Sequence, residues 1–348
     1  MKTHKKLYWK VSNKIESIYQ QLLAFGEPPL AHGKHCGGLL RHRKDDRDRI
    51  ADMGWFKYKP KFESISQFNG KIFNQNPHNI CVFASRKMGR YYQQGINFSA
   101  KFGIIYAKRT GRLSGNGWSS LRAENKRGTK IGLVPYEECP DEPEYNWKEY
   151  IKTDEYEYNR LIKIASKILI PEYRKITSWN AAIEALEKGY VLFTGIKLHS
   201  GDTRPLAPNY ILKHDGYHIG GHAINSPGYV KKENILFENP GTYGKNYGKN
   251  GMVYLRELFG SNNYDIYIEE FLPIEVRLPL FVKQQEGKLV KTQNDIRCFV
   301  IEKGMKRHVS GNDNMKTFIL LQDKLGLTYV KKELLNATPE GLPYPLIK

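Results

Sequence analysis

Long apolar runs are missing from this chain of 348 residues. A bilayer-spanning helix needs about eighteen or more consecutive apolar residues, so no membrane span is expected. The N-terminus, Met1-Lys2-Thr3-His4-Lys5-Lys6-Leu7-Tyr8-Trp9-Lys10, has the positive start of a signal peptide without the apolar segment that should follow. Secretion by that route is not expected, and a cytoplasmic location is. Cysteine is scarce too: Cys36, Cys81, Cys139 and Cys298 are too few and too scattered for a disulfide framework. No CxxC or Cys/His cluster points to a metal, so neither metal nor cofactor is expected, and a reducing compartment fits. Acidic residues number 36 against 55 basic ones, a formal charge of +19. Such an excess suits nucleic acid, an acidic substrate or an anionic surface. The basic residues, however, form only short clusters at Lys2–Lys10, Arg41–Arg49 and Lys303–His308, with no nucleic-acid-binding motif beside them. A solvated basic surface is the better reading, and a nucleic-acid partner has no motif to support it. What the chain does have is a hydrophobic content of 40%, enough for a substantial globular core.

The stretch richest in chemistry is Gln75-Asn76-Pro77-His78-Asn79-Ile80-Cys81-Val82-Phe83-Ala84-Ser85. Val82, Phe83, Ala84, Met88, Tyr91 and Tyr92 recur at the spacing of one buried helix face, so Cys81 opens a helix. A thiol there meets unpaired backbone N–H groups and the positive end of the macrodipole, which favour thiolate. A lone cysteine before an apolar helix is more often a small buried hydrophobe. Its company shifts the balance. Gln75 stands six residues upstream, Gly-Gly-His222-Ala-Ile far downstream, and Asn239 ends an apolar run seventeen residues after His222. Nucleophile, base and base-orienting amide thus occur in the order Cys, His, Asn, with a spare amide donor for an oxyanion. His78, His199, His214 and His218 compete for the role of base; the flanking Gly-Gly-His-Ala-Ile and the later Asn favour His222, with His218 second.

In this order of residues the sequence resembles the papain-like cysteine peptidases, in particular their bacterial and phage members. The matching segments are Gln75, Cys81, Gly221-His222-Ala223-Ile224, Ile235-Leu236-Phe237-Glu238-Asn239 and the glycine turn Tyr247-Gly248-Lys249-Asn250-Gly251. Ser114-Gly115-Asn116-Gly117-Trp118-Ser119-Ser120-Leu121 resembles the glycine segment whose backbone pairs with bound peptide. Gly37-Gly38-Leu39-Leu40 through Asp45-Asp46-Arg47-Asp48 resembles the lead-in to the bacterial catalytic domain. The resemblance implies an α+β, papain-like two-lobed fold, with a helical lobe carrying Cys81 and a twisted antiparallel β lobe carrying His222 and Asn239. It implies a polypeptide substrate and amide hydrolysis. Cys81, His222, Asn239 and Gln75 would be catalytic, and Gly115, Asn116, Gly117, Trp118 and Gly221 would bind substrate. A phage source would place the protein in the host cytoplasm or the virion.

Two departures support an alternative, a catalytically inactive homologue acting as a structural or binding protein. The family has Ser-Trp-Gly after the Asn, where the Trp shields the His–Asn hydrogen bond. Here Pro240-Gly241-Thr242 follows, no Trp comes after Trp179, and Tyr243 or Tyr247 must stand in. Asn79-Ile80 also replaces the usual Gly-Ser before the nucleophile.

The remaining segments divide the chain into three. Residues 7–25 are spaced for an amphipathic helix ending at Gly26-Glu27-Pro28-Pro29, and residues 1–35 read as an N-terminal helical arm, either propeptide-like, docking or simply packed on the domain. Residues 36–270 read as the peptidase domain. Helices are expected at 98–108, 120–127 and 156–168, and at 179–188, capped by Ser178 and closed by Gly189; Tyr190–Leu198 reads as a strand. Pro273 to Pro279 reads as a linker, and residues 280–348 as a small C-terminal α/β module. That module is either an attachment unit with its own partner or an extension stabilising the core.

Overall fold

The computed structural model of the chain describes Leu39 and residues 62–341, apart from 70, 76–77, 115–116, 142–145, 204–209, 232–234, 241–242, 257–258, 260–262, 293–294, 296 and 310–314. The N-terminal arm and most of the charged lead-in lie outside the described residues. The elements run β1 (Ser64–Ser66), α1 (Cys81–Gln94), α2 (Ala100–Arg109), α3 (Leu121–Lys130), α4 (Trp147–Tyr150), α5 (Glu155–Ala165), β2 (Tyr173–Ile176), α6 (Trp179–Glu187) and β3 (Leu192–His199). They continue with β4 (His218–Ser226), β5 (Gly228–Lys231), β6 (Ile235–Pro240), β7 (Met252–Leu255), β8 (Asn263–Glu269), α7 (Ile274–Gln285) and β9 (Leu289–Lys291). The chain closes with β10 (Cys298–Glu302), β11 (Met305–Val309), α8 (Met315–Leu325), β12 (Leu327–Tyr329) and α9 (Lys332–Ala337).

Local chemistry accounts for the helix starts. Ser99, Ser120 and Ser178 each turn an extended residue's hydroxyl onto the N–H three positions on, at 3.1, 3.2 and 3.2 Å. Gly189, at φ +89°, follows α6 with a backbone turn that a side chain would strain.

Two antiparallel sheets make the β half, in the orders β2-β8-β3-β4 and β1-β5-β6-β7. Their apolar faces enclose α6 in a core that includes Ala182, Leu186, Leu192, Ile196, Ile224, Phe237, Leu255 and Ile266. The helical half packs around Ile80, Phe83, Ile104 and Tyr150 on one side and Phe102, Ile105, Val134 and Leu161 on another.

Helix α1 runs between the halves, and every one of its residues is buried. Gly89 marks the closest approach, since a Cβ there would lie 2.2 Å from Phe193 Cε1 of β3. Burial on all sides makes an unpartnered polar group costly, and several polar residues of the helix are paired. Arg90 reaches Glu269 with two hydrogen bonds of 2.8 Å and Glu124 with one of 3.0 Å, while Lys87 Nζ meets Asp141 at 2.7 Å. Gln93 accepts from Val191 N–H at 2.9 Å and donates to the Glu269 carbonyl at 2.7 Å. Arg86 is stacked 3.8 Å from the Phe193 ring centroid with Glu269 at 3.7 Å. Burial pushes its guanidinium down to about 10 against the pull of Glu269, so it stays charged at neutral pH.

The C-terminal part forms a third sheet, β11-β10-β9-β12, in which only the β9–β12 pairing is parallel. The linker expected at Pro273–Pro279 is instead the first half of α7, with Pro279 inside it. Pro279 removes one backbone donor, yet Phe281 and Leu334 insert beside Ile96, Phe98, Leu133, Ile170 and Leu272 of the main body. Each such side chain contributes about 1.5–3 kcal/mol on burial, comparable to the roughly 3 kcal/mol a proline costs a helix interior. Gln284 adds a clamp on the Asn97 backbone, N–H and C=O both at 2.9 Å. Among the described residues no helix is long and apolar enough to cross a membrane.

Candidate active site

Cys81 is the first residue of α1, and its N-terminus is chemically bare. Ile80 at the cap offers no side-chain hydrogen bond, and the first turn carries no acidic residue. The N–H groups of the first turn and the positive helix end are therefore directed at the thiol and whatever binds beside it. Cys81 Sγ accepts a hydrogen bond from Ala223 N–H at 3.3 Å. Ala223 follows His222 on β4, so the helix of one half and the strand of the other bring the two predicted residues to the same place. His222 is buried, opposite Ile196 of β3.

Tyr243 lies face to face with His222, centroids 4.7 Å apart and planes 13° apart, and its hydroxyl is 3.1 Å from His222 Nδ1. Tyr247 packs edge-on against Tyr243 at 5.1 Å. Of the two tyrosines, Tyr243 packs directly on His222, with Tyr247 behind it. Asn239 is buried on β6, paired with Val253, and its Oδ1 has no hydrogen-bond partner among the described residues. Gln75 is buried upstream of Cys81 and donates from Nε2 to the His78 carbonyl at 3.3 Å. His78 itself stacks on Tyr150, centroids 5.6 Å apart. His218, the second choice of base, sits exposed at the start of β4 beside His199.

Gly117 and Trp118 pass beside this group. Gly117, at φ +116°, passes so close to the cysteine's lead-in that a Cβ would lie 2.9 Å from Ile80 Cγ2 and 3.1 Å from the Asn79 carbonyl oxygen. A Cβ on Gly220 of β4 would come 3.9 Å from Trp118 Cη2. Leu39 lies beside Cys81 and β4. Its N–H donates to the Gly221 carbonyl at 3.1 Å, it bridges Ser119 in parallel, and it packs with Cys81, Val82, Leu121 and Ala223. Of the expected substrate-contacting residues, Gly221 pairs with Leu39, Gly117 lies against the Asn79-Ile80 lead-in and Trp118 faces Gly220; Gly115 and Asn116 lie outside the described residues. Sequence reasoning named the segments of Leu39 and Ser119 but missed that the two residues pair with each other, because strand-like pairing by single residues leaves no periodic signal. The Ala223 N–H escaped it too, since a backbone donor has no residue type.

No protein-family model matches the sequence, and no curated protein matches it. Solved structures do. Xylellain, a cysteine protease from Xylella fastidiosa, superposes with a TM-score of 0.58 at 17% identity, covering 70% of this chain and 99% of that one. A procathepsin B from Trypanosoma congolense gives a TM-score of 0.53 at 12% identity over 68% of this chain and 87% of that one. The chain has the α+β papain-like fold, with a further α/β unit at its C-terminal end.

Proposed function

We propose that the protein is a papain-like cysteine peptidase acting on polypeptides, with Cys81 as nucleophile. The observation that carries this reading is the hydrogen bond from Ala223 N–H to Cys81 Sγ, which sets the thiol at an uncapped helix N-terminus next to His222. Cys81 thiolate attacks the scissile carbonyl carbon, forming the C–S bond while the carbonyl oxygen becomes an oxyanion. The Cys81 N–H and the Gln75 amide stabilise that oxyanion. Imidazolium His222 gives its proton to the leaving amine as the C–N bond breaks, and water then hydrolyses the thioester with His222 as base. Asn239 and the Tyr243 hydroxyl are the two candidates to orient the imidazole. Leu39, held by backbone pairing between Gly221 and Ser119, supports an extended peptide as the ligand class.

The same occupant supports reading the N-terminal segment through Leu39 as one that competes with substrate. The docked C-terminal unit is read as a stabilising extension, because it shares an apolar cluster with the helical half. The unpartnered Asn239 Oδ1 favours the second reading, an inactive binding protein on the same scaffold. Incubating the full chain, and a chain lacking residues 1–40, with an unfolded protein substrate separates the two. The peptidase reading expects cleavage that is faster without the segment, lost in Cys81→Ala and blocked by a thiol-directed epoxide. No cleavage by either chain and no epoxide adduct at Cys81 would leave the binding reading.

A further inference from the structure

At the far end of β3 and β4 from Cys81, three side chains converge that the sequence does not group. His199 ends β3, Asp202 follows in a short turn, and His214 returns after a loop; their donor atoms all lie within 4.8 Å of one another. Asp202 is 1% exposed, and its carboxylate is already ordered. Oδ1 accepts from His214 N–H at 2.9 Å and Oδ2 from His199 N–H at 3.0 Å, with His214 Nδ1 3.2 Å from Oδ2. His199 Nδ1 is buried, stands 3.7 Å from Oδ2, and has no hydrogen-bond partner among the described residues. A buried imidazole nitrogen aimed at a carboxylate beyond hydrogen-bond reach is a group short of a partner.

We propose that His199, Asp202 and His214 form a binding site for a divalent transition-metal cation, Zn²⁺ by donor chemistry. Zinc bonds of about 2.0–2.1 Å in tetrahedral geometry set ligand atoms roughly 3.4 Å apart. The separations of 3.2 and 3.7 Å to Asp202 Oδ2 straddle that value. The widest separation must close by a little over 1 Å by that geometry, within the reach of ring rotation. Two imidazoles with one carboxylate favour Zn²⁺, Co²⁺ or Ni²⁺ over Ca²⁺ or Mg²⁺, which prefer oxygen shells. The fourth position goes to water or to His218, whose ring centroid is 5.7 Å from that of His199. The site also connects to His222. Tyr247 OH donates to the Asp202 carbonyl at 2.9 Å, Tyr247 packs on Tyr243, and Tyr243 on His222. A bound cation fixes the turn that holds this aromatic pair.

The test uses the full chain carrying Cys81→Ser, so that the thiol near His222 does not compete for metal. After chelator treatment it is titrated with Zn²⁺ by calorimetry and with Co²⁺ by visible absorption, with Ca²⁺ as control. One equivalent of Zn²⁺ or Co²⁺ is expected to bind and to raise the melting temperature, and Ca²⁺ to do neither. His199→Ala should lower the affinity by at least the roughly 10–100-fold that outer-shell partners of metal sites are worth. X-ray absorption of the zinc-loaded parent needs no variant to fold; it should show two imidazoles, or three if His218 takes the fourth position, and no sulfur. Absence of saturable binding, full affinity in His199→Ala, or a shell without imidazole would each overturn the proposal and leave the three residues as a hydrogen-bonded staple of the turn.

Discussion

The two ends of α1 are built on opposite principles. At its start the helix is apolar and uncapped, so that its backbone field is spent on one thiol. One to three turns later the same buried helix carries Arg86 and Arg90, which share Glu269, and Lys87, which meets Asp141. The first end turns backbone donors towards a thiol, whereas the second sets buried cations against carboxylates. A single central helix can thus serve a site and a scaffold because the demands are separated along its length.

The contrast is broken most severely at the thiol. Cys81→Ala should lower peptide hydrolysis by on the order of 10⁵–10⁶, as for loss of a nucleophile that acts as one unit with its base, while the melting temperature hardly moves. Assay and calorimetry on the same preparation check both halves of that statement. At the other end the effect should invert. Glu269→Gln leaves Arg90 and Arg86 buried without their shared charge, and a loss of about 3–5 kcal/mol in denaturant unfolding is expected. Any fall in activity should then track the unfolded fraction.

Between these lies Gln75→Ala, expected to cost on the order of 10²–10³ in turnover with little change in KM, as for an oxyanion donor. An equal loss in KM alone would make Gln75 a binding residue. The charge network also predicts a pH window. Burial alone would raise the Glu124 carboxyl, but Arg127 and Arg90 overcome it and hold it at about 2, and Glu269 is lowered as well. A depressed carboxyl stabilises the fold above its unfolded value and loses that contribution as pH falls through the folded one. Stability should therefore decline between pH about 4.5 and about 2, and Glu124→Gln should flatten that limb. The smallest effect belongs to the surface: Lys188→Ala, which removes an exposed pair with Glu184, should cost no more than about 0.5 kcal/mol.

The sequence made the chemical end of α1 legible and hid the structural end. Cys81 as helix start, the serine cap of α6 and the strand around Phe193 follow from local pattern, and local pattern sufficed. The amphipathic reading of α1, with one inward face, fails because the helix is enclosed on all sides. Arg86 and Arg90 look solvent-facing until Glu269, some 180 positions away, is folded against them. Pro279 reads as a linker for the same reason: its local cost is visible and the packing of Phe281 is not. Of the candidate site, the order Cys, His, Asn was visible. The hydroxyl of Tyr243 at His222 Nδ1, where Asn239 was expected to act, depends on how the chain turns after β6. His199, Asp202 and His214 stayed unread because an irregular turn and loop, rather than a periodic element, bring them together.

The central claim is that Cys81 and His222 act as a nucleophile and its acid–base partner. It is tested most directly by the pH dependence of Cys81 alkylation with iodoacetamide, in the parent chain and in His222→Ala, each with and without the segment through Leu39. The account predicts reaction well below the ordinary thiol value of about 8.5, shifting up towards that value when His222 is removed. A thiol that titrates near or above 8.5 in both chains would contradict it and leave a papain-like scaffold without papain-like chemistry.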